Sequence, residues 1–314
     1  MHPEKLDFVI PVFNEEESLK ELFKRIKAAV EENGIKGFKV IFIDDGSTDK
    51  SWEIISELKK ENPENVKGLS LRINRGKAFA LDLGFHHTDA PVVFTMDADL
   101  QDDPKEIPKF LEKLDEYDLV SGWKQRRNDP IDKTLPSKVF NFVLSRATRI
   151  KLHDFNCGFK CYKAAIIKKI RLYGELHRFT PVLASFYGYK IAEVSVEHHA
   201  RKYGKSKYGF ERFAKGLVDL CSVIVFTRFS DRPAHLLGGL GLVSGGSGFL
   251  ILCYLTAVKF IFNESIGTRP LLLLGVLLMI LSIQLISIGI VSELVIRNSA
   301  LHRQDADDFV KVEV

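Results

Sequence analysis

LDFVIPVFNEEES, residues 6–18, is the stretch on which the fold turns. LDFVIPV is a short apolar run with β-branched members, the composition of a strand buried on both faces. The polar residues that follow break it: Asn14 is placed to cap a helix, and Glu15, Glu16 and Glu17 suit that helix's positive end. Leu19, Leu22, Phe23, Ile26, Ala29 and Val30 then recur at helical spacing. The same grammar repeats downstream. Val40–Ile43, Gly68–Leu71 and Val92–Met96 read as strands, with helices over 49–60, 76–87 and 104–116. This β-α-β-α order predicts an α/β fold, a mostly parallel sheet with helices on both faces. Past about residue 130 the pattern loosens to a helix over 135–150, a strand near 159–162, a helix near 178–187 and a strand near 191–196. Residues 207–229 read as amphipathic helices lying along a membrane.

The far end of the chain has a different solvent. Leu236 to Val258 and Pro270 to Ser292 contain no charged residue, and each is long enough to cross a hydrocarbon core of about 30 Å. Lys259, Glu264 and Arg269 fall between them and Glu293 and Arg297 after them, the layout of a helical hairpin with both ends on one side. Arg212, Lys215, Arg228 and Arg232 precede the first span and suit an anionic cytoplasmic surface. Met1 to Asp7 carries no apolar leader, so the globular part is expected in the cytoplasm. The expected division is a globular domain over 1–206, juxtamembrane helices over 207–232, two spans within 233–297 and a cytoplasmic tail over 298–314. Gly241 and Gly245 form a GxxxG spacing, which serves packing against the second span or against another copy. Net charge is only +4, and no basic run marks a nucleic-acid partner. Cys157 and Cys161 have no second pair at zinc-ligand spacing and read as buried thiols.

In an open parallel sheet, ligands gather beyond the carboxyl ends of the strands. Three strands here end in polar clusters: Pro11 to Glu15, Asp44-Asp45-Gly46-Ser47-Thr48-Asp49, and Asp97-Ala98-Asp99-Leu100-Gln101-Asp102-Asp103-Pro104. Two carboxylates one residue apart at the end of a buried strand need a cation or donors. Asp99 with Asp97 or Gln101 offers the oxygen ligands that Mg²⁺ or Mn²⁺ prefers, a diphosphate supplying the rest. A solvated acidic turn is the plainer alternative, and Asp102 or Asp103 would then do no more than cap the helix at Pro104. In the second cluster, Ser47 or Thr48 serves as a helix cap, while Asp44 has the acceptor chemistry for a base or ribose.

PVFNE, IDDGSTD, NRGKAFAL and DADLQDDP, in this order, resemble the family-2 inverting glycosyltransferases of the GT-A fold. Cys157 to Lys160, Glu175 to Phe179 and Arg201 to Lys207 sharpen the match. With the terminal hairpin, the chain is similar to the polyprenyl-phosphate glycosyltransferases, the group akin to dolichol-phosphate mannose synthase. The resemblance implies a GT-A domain and a nucleotide-binding group of Pro11, Phe13, Glu15, Asp44, Asp45, Lys77 and Asp97. It implies Mg²⁺ or Mn²⁺ held by Asp97, Asp99 and Gln101, with Arg126, Arg127, Arg201, Ser206 and Lys207 on the acceptor phosphate and diphosphate. The implied reaction is inverting transfer of one hexose from a UDP-sugar, UDP-glucose first, to undecaprenyl or dolichyl phosphate. GDP-mannose as donor, or a scaffold without activity, stand as alternatives. A homo-oligomer in the membrane is also implied.

Asp99, Asp154 and Glu175 are the candidate catalytic carboxylates. For Glu175 a structural role stays open, and for Asp154 a substrate-orienting one. A phosphate monoester, with a second pKa near 6, is largely ionised at pH 7 and needs positioning more than a base. A processive polysaccharide synthase is disfavoured, since it would carry QxxRW and more spans. A nucleotidyltransferase is disfavoured as well, since its Gly-rich basic loop would follow the first strand.

Overall fold

The computed structural model describes residues 3–125, 141, 144–146, 148, 150–197, 199, 233–263, 265–267 and 269–298. The chain divides into two compact units, Met1–Val223 and Ile224–Val314.

The first unit is built on seven strands: β1 (Lys5–Val12), β2 (Gly37–Asp44), β3 (Val66–Ser70), β4 (Val92–Thr95), β5 (Leu119–Lys124), β6 (Lys160–Lys163) and β7 (Ile191–Val196). They lie side by side in the order β3-β2-β1-β4-β6-β5-β7. β1 runs parallel to β2 and β4, β2 to β3, and β5 to β7, while β6 is antiparallel to both β4 and β5. Helices α1 (Leu19–Glu32), α2 (Ser51–Glu61) and α3 (Lys77–Phe85) connect the parallel strands; α4 (Ile107–Lys113), α5 (Ala164–Lys169) and α6 (Thr180–Phe186) follow.

β1 is apolar on both faces because both are covered: Leu6, Phe8, Val9 and Ile10 are fully buried. Its one acid, Asp7, is buried too, accepting the backbone N–H groups of Asp89 (2.7 Å) and Ala90 (2.9 Å) in the turn before β4. Six residues expected to form the inward stripe of α1 do so, Leu19, Leu22, Phe23, Ile26, Ala29 and Val30. Phe8 stacks on Phe94 across β1 and β4, and Phe94 meets Phe110 of α4, so the central strands share one aromatic core.

Several expectations need correcting. Asn14 does not cap α1, whose first turn follows Ser18 without a side-chain cap. Asn14 instead takes a left-handed φ of 56° and aims its Oδ1 across the sheet end to the Thr48 N–H at 2.8 Å. Ser47 and Thr48 likewise do not cap α2; Asp49 Oδ1 accepts the Ser51 N–H at 3.0 Å. Residues 104–116 hold a 3-10 turn, Pro104–Glu106, before the shorter α4. The expected helix over 135–150 lies largely outside the described residues, although Asn141, Leu144, Ser145, Arg146 and Thr148 are helical. The amphipathic helices expected over 207–229 also lie outside them. Two elements, β5 and α5, had no sequence expectation.

The second unit is a pair of helices, α7 (Pro233–Ile261) and α8 (Pro270–Asn298), both long and apolar enough to cross a membrane. Only 11% of each apolar window is buried, unlike the core helix of a soluble protein. Their outward faces carry Leu242, Val243, Leu250, Leu273, Leu277 and Ile283. The inward seam is made of glycine. A Cβ on Gly245 would stand 2.6 Å from Ser282 Oγ, and one on Gly248 would stand 2.9 Å from the Gly275 carbonyl oxygen. The GxxxG spacing therefore serves packing within the chain.

Replacing Gly248 by Leu is expected to force the two helices apart and cost about 1–3 kcal/mol, the usual penalty for overpacking. Gly246, which has nothing within 4 Å of its Cβ position, is the control. Thermal melting of the detergent-solubilised chain should fall for Gly248→Leu and stay unchanged for Gly246→Leu.

Candidate active site

Parallel pairing brings the strand ends together: Val12 lies opposite Asp44, and Asp44 opposite Ser70. Pro11, Phe13 and Glu15 are half-buried along this edge, with the Glu15 N–H donating to Ser51 Oγ at 2.9 Å. Asp44 and Asp45 are both buried. Asp44 accepts the Ser47 N–H (3.0 Å) through one oxygen and the Ser70 hydroxyl (2.7 Å) through the other. Asp45 accepts the Arg75 N–H (2.7 Å) and the Gly76 N–H (2.8 Å). Burial pushes the Asp45 carboxyl above the ordinary range against the pull of those two N–H groups. These bonds shape the turn from which α3 starts, with Gly76 at φ 90° and Lys77 as the first helical residue.

Lys77 reaches from that turn to the Asp97 carboxylate, joining two of the three clusters by an ion pair. Burial raises the Asp97 carboxyl, but the charge and hydrogen bond of Lys77, with the charge of Lys124, together hold the group below the usual carboxylate range. Gly158 leaves room for this: a Cβ there would lie 2.6 Å from Asp97 Oδ2. Asp99 is half-buried, and its Oδ1 faces the Gln101 N–H at 3.3 Å across Leu100, which adopts φ 60°. His199, just past β7, pins the turn, its N–H donating to the Gln101 carbonyl at 2.9 Å. Asp103 caps the 3-10 turn through the Lys105 N–H, and buried Asp102 pairs with Lys124 at 3.2 Å.

Among the described residues, no three His, Cys, Asp or Glu side chains gather at one point for a metal. The donor set still fits Mg²⁺ or Mn²⁺: the carboxylates of Asp97 and Asp99 and the Gln101 amide are hard oxygen donors, and such ions bind through one or two carboxylates plus substrate phosphates. The missing side chain at Gly158 is what gives the Asp97 carboxylate its place there, since a Cβ would stand 2.6 Å from Oδ2.

Beneath this edge lies a second layer of charge that sequence reading missed. Lys124 pairs with Asp102, and the charges of Lys160 and His177 couple to that of Asp97. Asp154 is buried and accepts the Asn156 N–H at 3.0 Å. Lys160 is buried in β6, its ammonium donating to the Cys157 carbonyl, and burial lowers its pKa to about 8. Burial first, and then the Asp102 carboxylate, push the Cys157 thiol up to about 12. The available sign was a lysine inside an apolar strand, Phe159-Lys160-Cys161-Tyr162, where a solvated face would not be expected. Glu175 engages its own turn through Arg178 Nη2 at 3.0 Å. Arg126, Arg127, Arg201, Ser206 and Lys207 lie outside the described residues.

Residues 7–171 match the sequence profile of Glycosyl transferase family 2. The chain is 41% identical to the dodecaprenyl-phosphate galacturonate synthase of Rhizobium johnstonii over 96% of this chain and 90% of that one. It is 33% identical to the undecaprenyl-phosphate 4-deoxy-4-formamido-L-arabinose transferase of Salmonella paratyphi A, over 92% of this chain and 87% of that one. Among solved structures, it resembles glucosyl-3-phosphoglycerate synthase from Mycobacterium tuberculosis in complex with Mn²⁺, UDP and phosphoglyceric acid. That likeness is one of fold: TM-score 0.53 at 16% identity, over 71% of this chain and 78% of the other.

A lysine whose folded pKa is about 8 against 10.5 unfolded binds its proton more weakly in the folded state. The unfolded chain therefore holds more protons between those values, and stability should rise with pH across that window. The gain is complete above the unfolded value and lost as pH falls through 8, and amounts to about 3 kcal/mol. Melting profiles of the full chain against pH should show this rise relative to Lys160→Met, which removes it; parallel profiles would refute the assignment.

Proposed function

The chain belongs to glycosyl transferase family 2, and on that premise we propose that it moves a single sugar from a nucleoside diphosphate carrier onto a polyprenyl phosphate. It is a glycosyltransferase with the GT-A fold, carrying two membrane-length helices. One observation carries the acceptor: the similarity to two polyprenyl-phosphate sugar transferases covers almost the entire chain, both units included. In this reading residues 1–206 are the catalytic domain, 207–232 its juxtamembrane helices and 298–314 a tail, with the catalytic domain and both termini cytoplasmic. Association with further copies would use the outward faces of α7 and α8, because Gly241 and Gly245 face α8.

The nucleoside falls to Pro11, Phe13, Glu15 and Asp44, and the diphosphate to the Lys77–Asp97 edge. A divalent ion held by Asp97, Asp99 and Gln101 supplies neutralisation of the charge that develops on the departing diphosphate. The protein's own work is positioning. Lys77 lies where it can pass from Asp97 to a phosphate oxygen, and Arg126, Arg127, Arg201, Ser206 and Lys207 are assigned to the acceptor phosphate and diphosphate. An ionised phosphate oxygen attacks the anomeric carbon, the bond to that oxygen forms as the bond to the diphosphate breaks, and the configuration inverts. No proton has to be removed from the nucleophile, so Asp154 orients substrate and Glu175, held by Arg178, supports its turn. The donor put forward is a UDP-hexose, UDP-glucose first; the Rhizobium relative, a galacturonate synthase by name, favours a galacturonate-bearing donor as the second.

Transfer to undecaprenyl phosphate, assayed with each UDP-sugar with and without Mg²⁺, tests the reading. Asp99→Ala should lower metal-dependent transfer by a factor of about 100 or more, in line with losing a main electrostatic element, and leave membrane insertion intact. Full activity in that variant would remove Asp99 from the metal site.

A further inference from the structure

His177 lies on a 3-10 turn, Leu176–Arg178, that packs against α3. Its side chain is mostly withdrawn from solvent, with 12% exposed. Nε2 faces the Glu175 carboxylate at 3.9 Å. Nδ1 is buried and has no hydrogen-bond partner among the described residues. The charges around the ring are those of the donor edge: Lys77, Arg178, Lys160 and Asp97. Burial, reinforced by the three cations, holds the imidazole well below its ordinary pKa, so the ring is neutral at pH 7. In a neutral ring one nitrogen carries the proton and the other accepts. The Glu175 carboxylate, 3.9 Å from Nε2, favours the tautomer with the proton on Nε2, which has its lone pair on Nδ1.

A buried acceptor without a donor is costly, and neither nearby ammonium reaches it: Lys77 pairs with Asp97, Lys160 donates to the Cys157 carbonyl, and Nδ1 stays without a partner among the described residues. The chemistry of Nδ1 selects what fits. A diphosphate presents only acceptor oxygens and would repel the lone pair. A sugar ring presents hydroxyl donors. We propose that His177 Nδ1 accepts a hydrogen bond from one hydroxyl of the donor sugar, making His177 a residue that discriminates among sugars by the configuration at one ring carbon. This rests on the reading of the site as one for a nucleoside diphosphate sugar.

The test compares two affinities in the full-length, detergent-solubilised chain with Mn²⁺: that for UDP and that for each of UDP-glucose and UDP-galacturonate. His177→Phe keeps the ring and removes the acceptor. It should weaken binding of the preferred UDP-sugar about tenfold, the worth of one neutral hydrogen bond, with UDP binding unchanged. His177→Asn, whose Oδ1 stands near the position of Nδ1, should recover most of the loss, which a purely structural role would not allow. A ratio of UDP-sugar to UDP affinity that is the same in His177→Phe as in the unaltered protein overturns the inference. If the unaltered protein binds neither UDP nor any UDP-sugar, the parent reading fails instead. Should the variants not fold, ¹⁵N-histidine spectra of the unaltered chain decide: one imidazole Nδ1 signal should move on adding the UDP-sugar but not on adding UDP, and no such movement overturns the inference.

Discussion

Asp44 and Asp45, buried side by side where β2 ends, hold the site edge together by giving their four oxygens to Ser47, Ser70, Arg75 and Gly76. The Asp45 bonds to the Arg75 and Gly76 N–H groups extend the β2–β3 pairing into the loop after β3 and so aim Lys77 at Asp97. Two adjacent carboxylates at a strand end look like ligand-binding residues, and Asp44 keeps that capacity because each oxygen can accept a second bond. Asp45, its oxygens aimed at backbone, is first a builder of the loop that carries Lys77.

Much of this was legible in the chain itself. β1, β2 and β4 carry the apolar runs Phe8–Val12, Val40–Ile43 and Val92–Phe94, which suit a doubly covered sheet. β5 escaped notice because Leu119-Val-Ser-Gly-Trp-Lys124 carries polar residues and a glycine, and it becomes a strand by pairing with β6 and β7. Tertiary context overrides local preference there. Within the site, Asp97, Asp99, Asp154 and Glu175 stood out as acids at motif positions. Their cationic counterparts Lys124 and Lys160 did not, since a lysine reads as solvated until the fold places it beside an acid. Asn14 was misassigned for a related reason: an asparagine before a helix is a local signal, and its partner Thr48 lies on another element.

The two units meet the same demand for close packing by different means. In the sheet, aromatic rings fill the space between strands and helices. Along the hairpin, absence of side chains does the equivalent work, letting the backbones of α7 and α8 approach at Gly248 and Gly275. Ser244 adds a hydrogen bond to the Leu278 carbonyl at 2.9 Å across the same seam.

The antiparallel placement of β6 has a consequence in time. The half-sheet β3-β2-β1-β4 is assembled entirely from strands that leave the ribosome in succession, each joined to its neighbours by short helical crossovers. β5, β6 and β7, which complete the other half, emerge later, and the first apolar helix later still. At ordinary rates of synthesis the stretch from β4 to α7 takes on the order of ten seconds to make. All four parallel strands are therefore available to pair with one another before β5, β6 and β7 have been made, and well before either apolar helix exists.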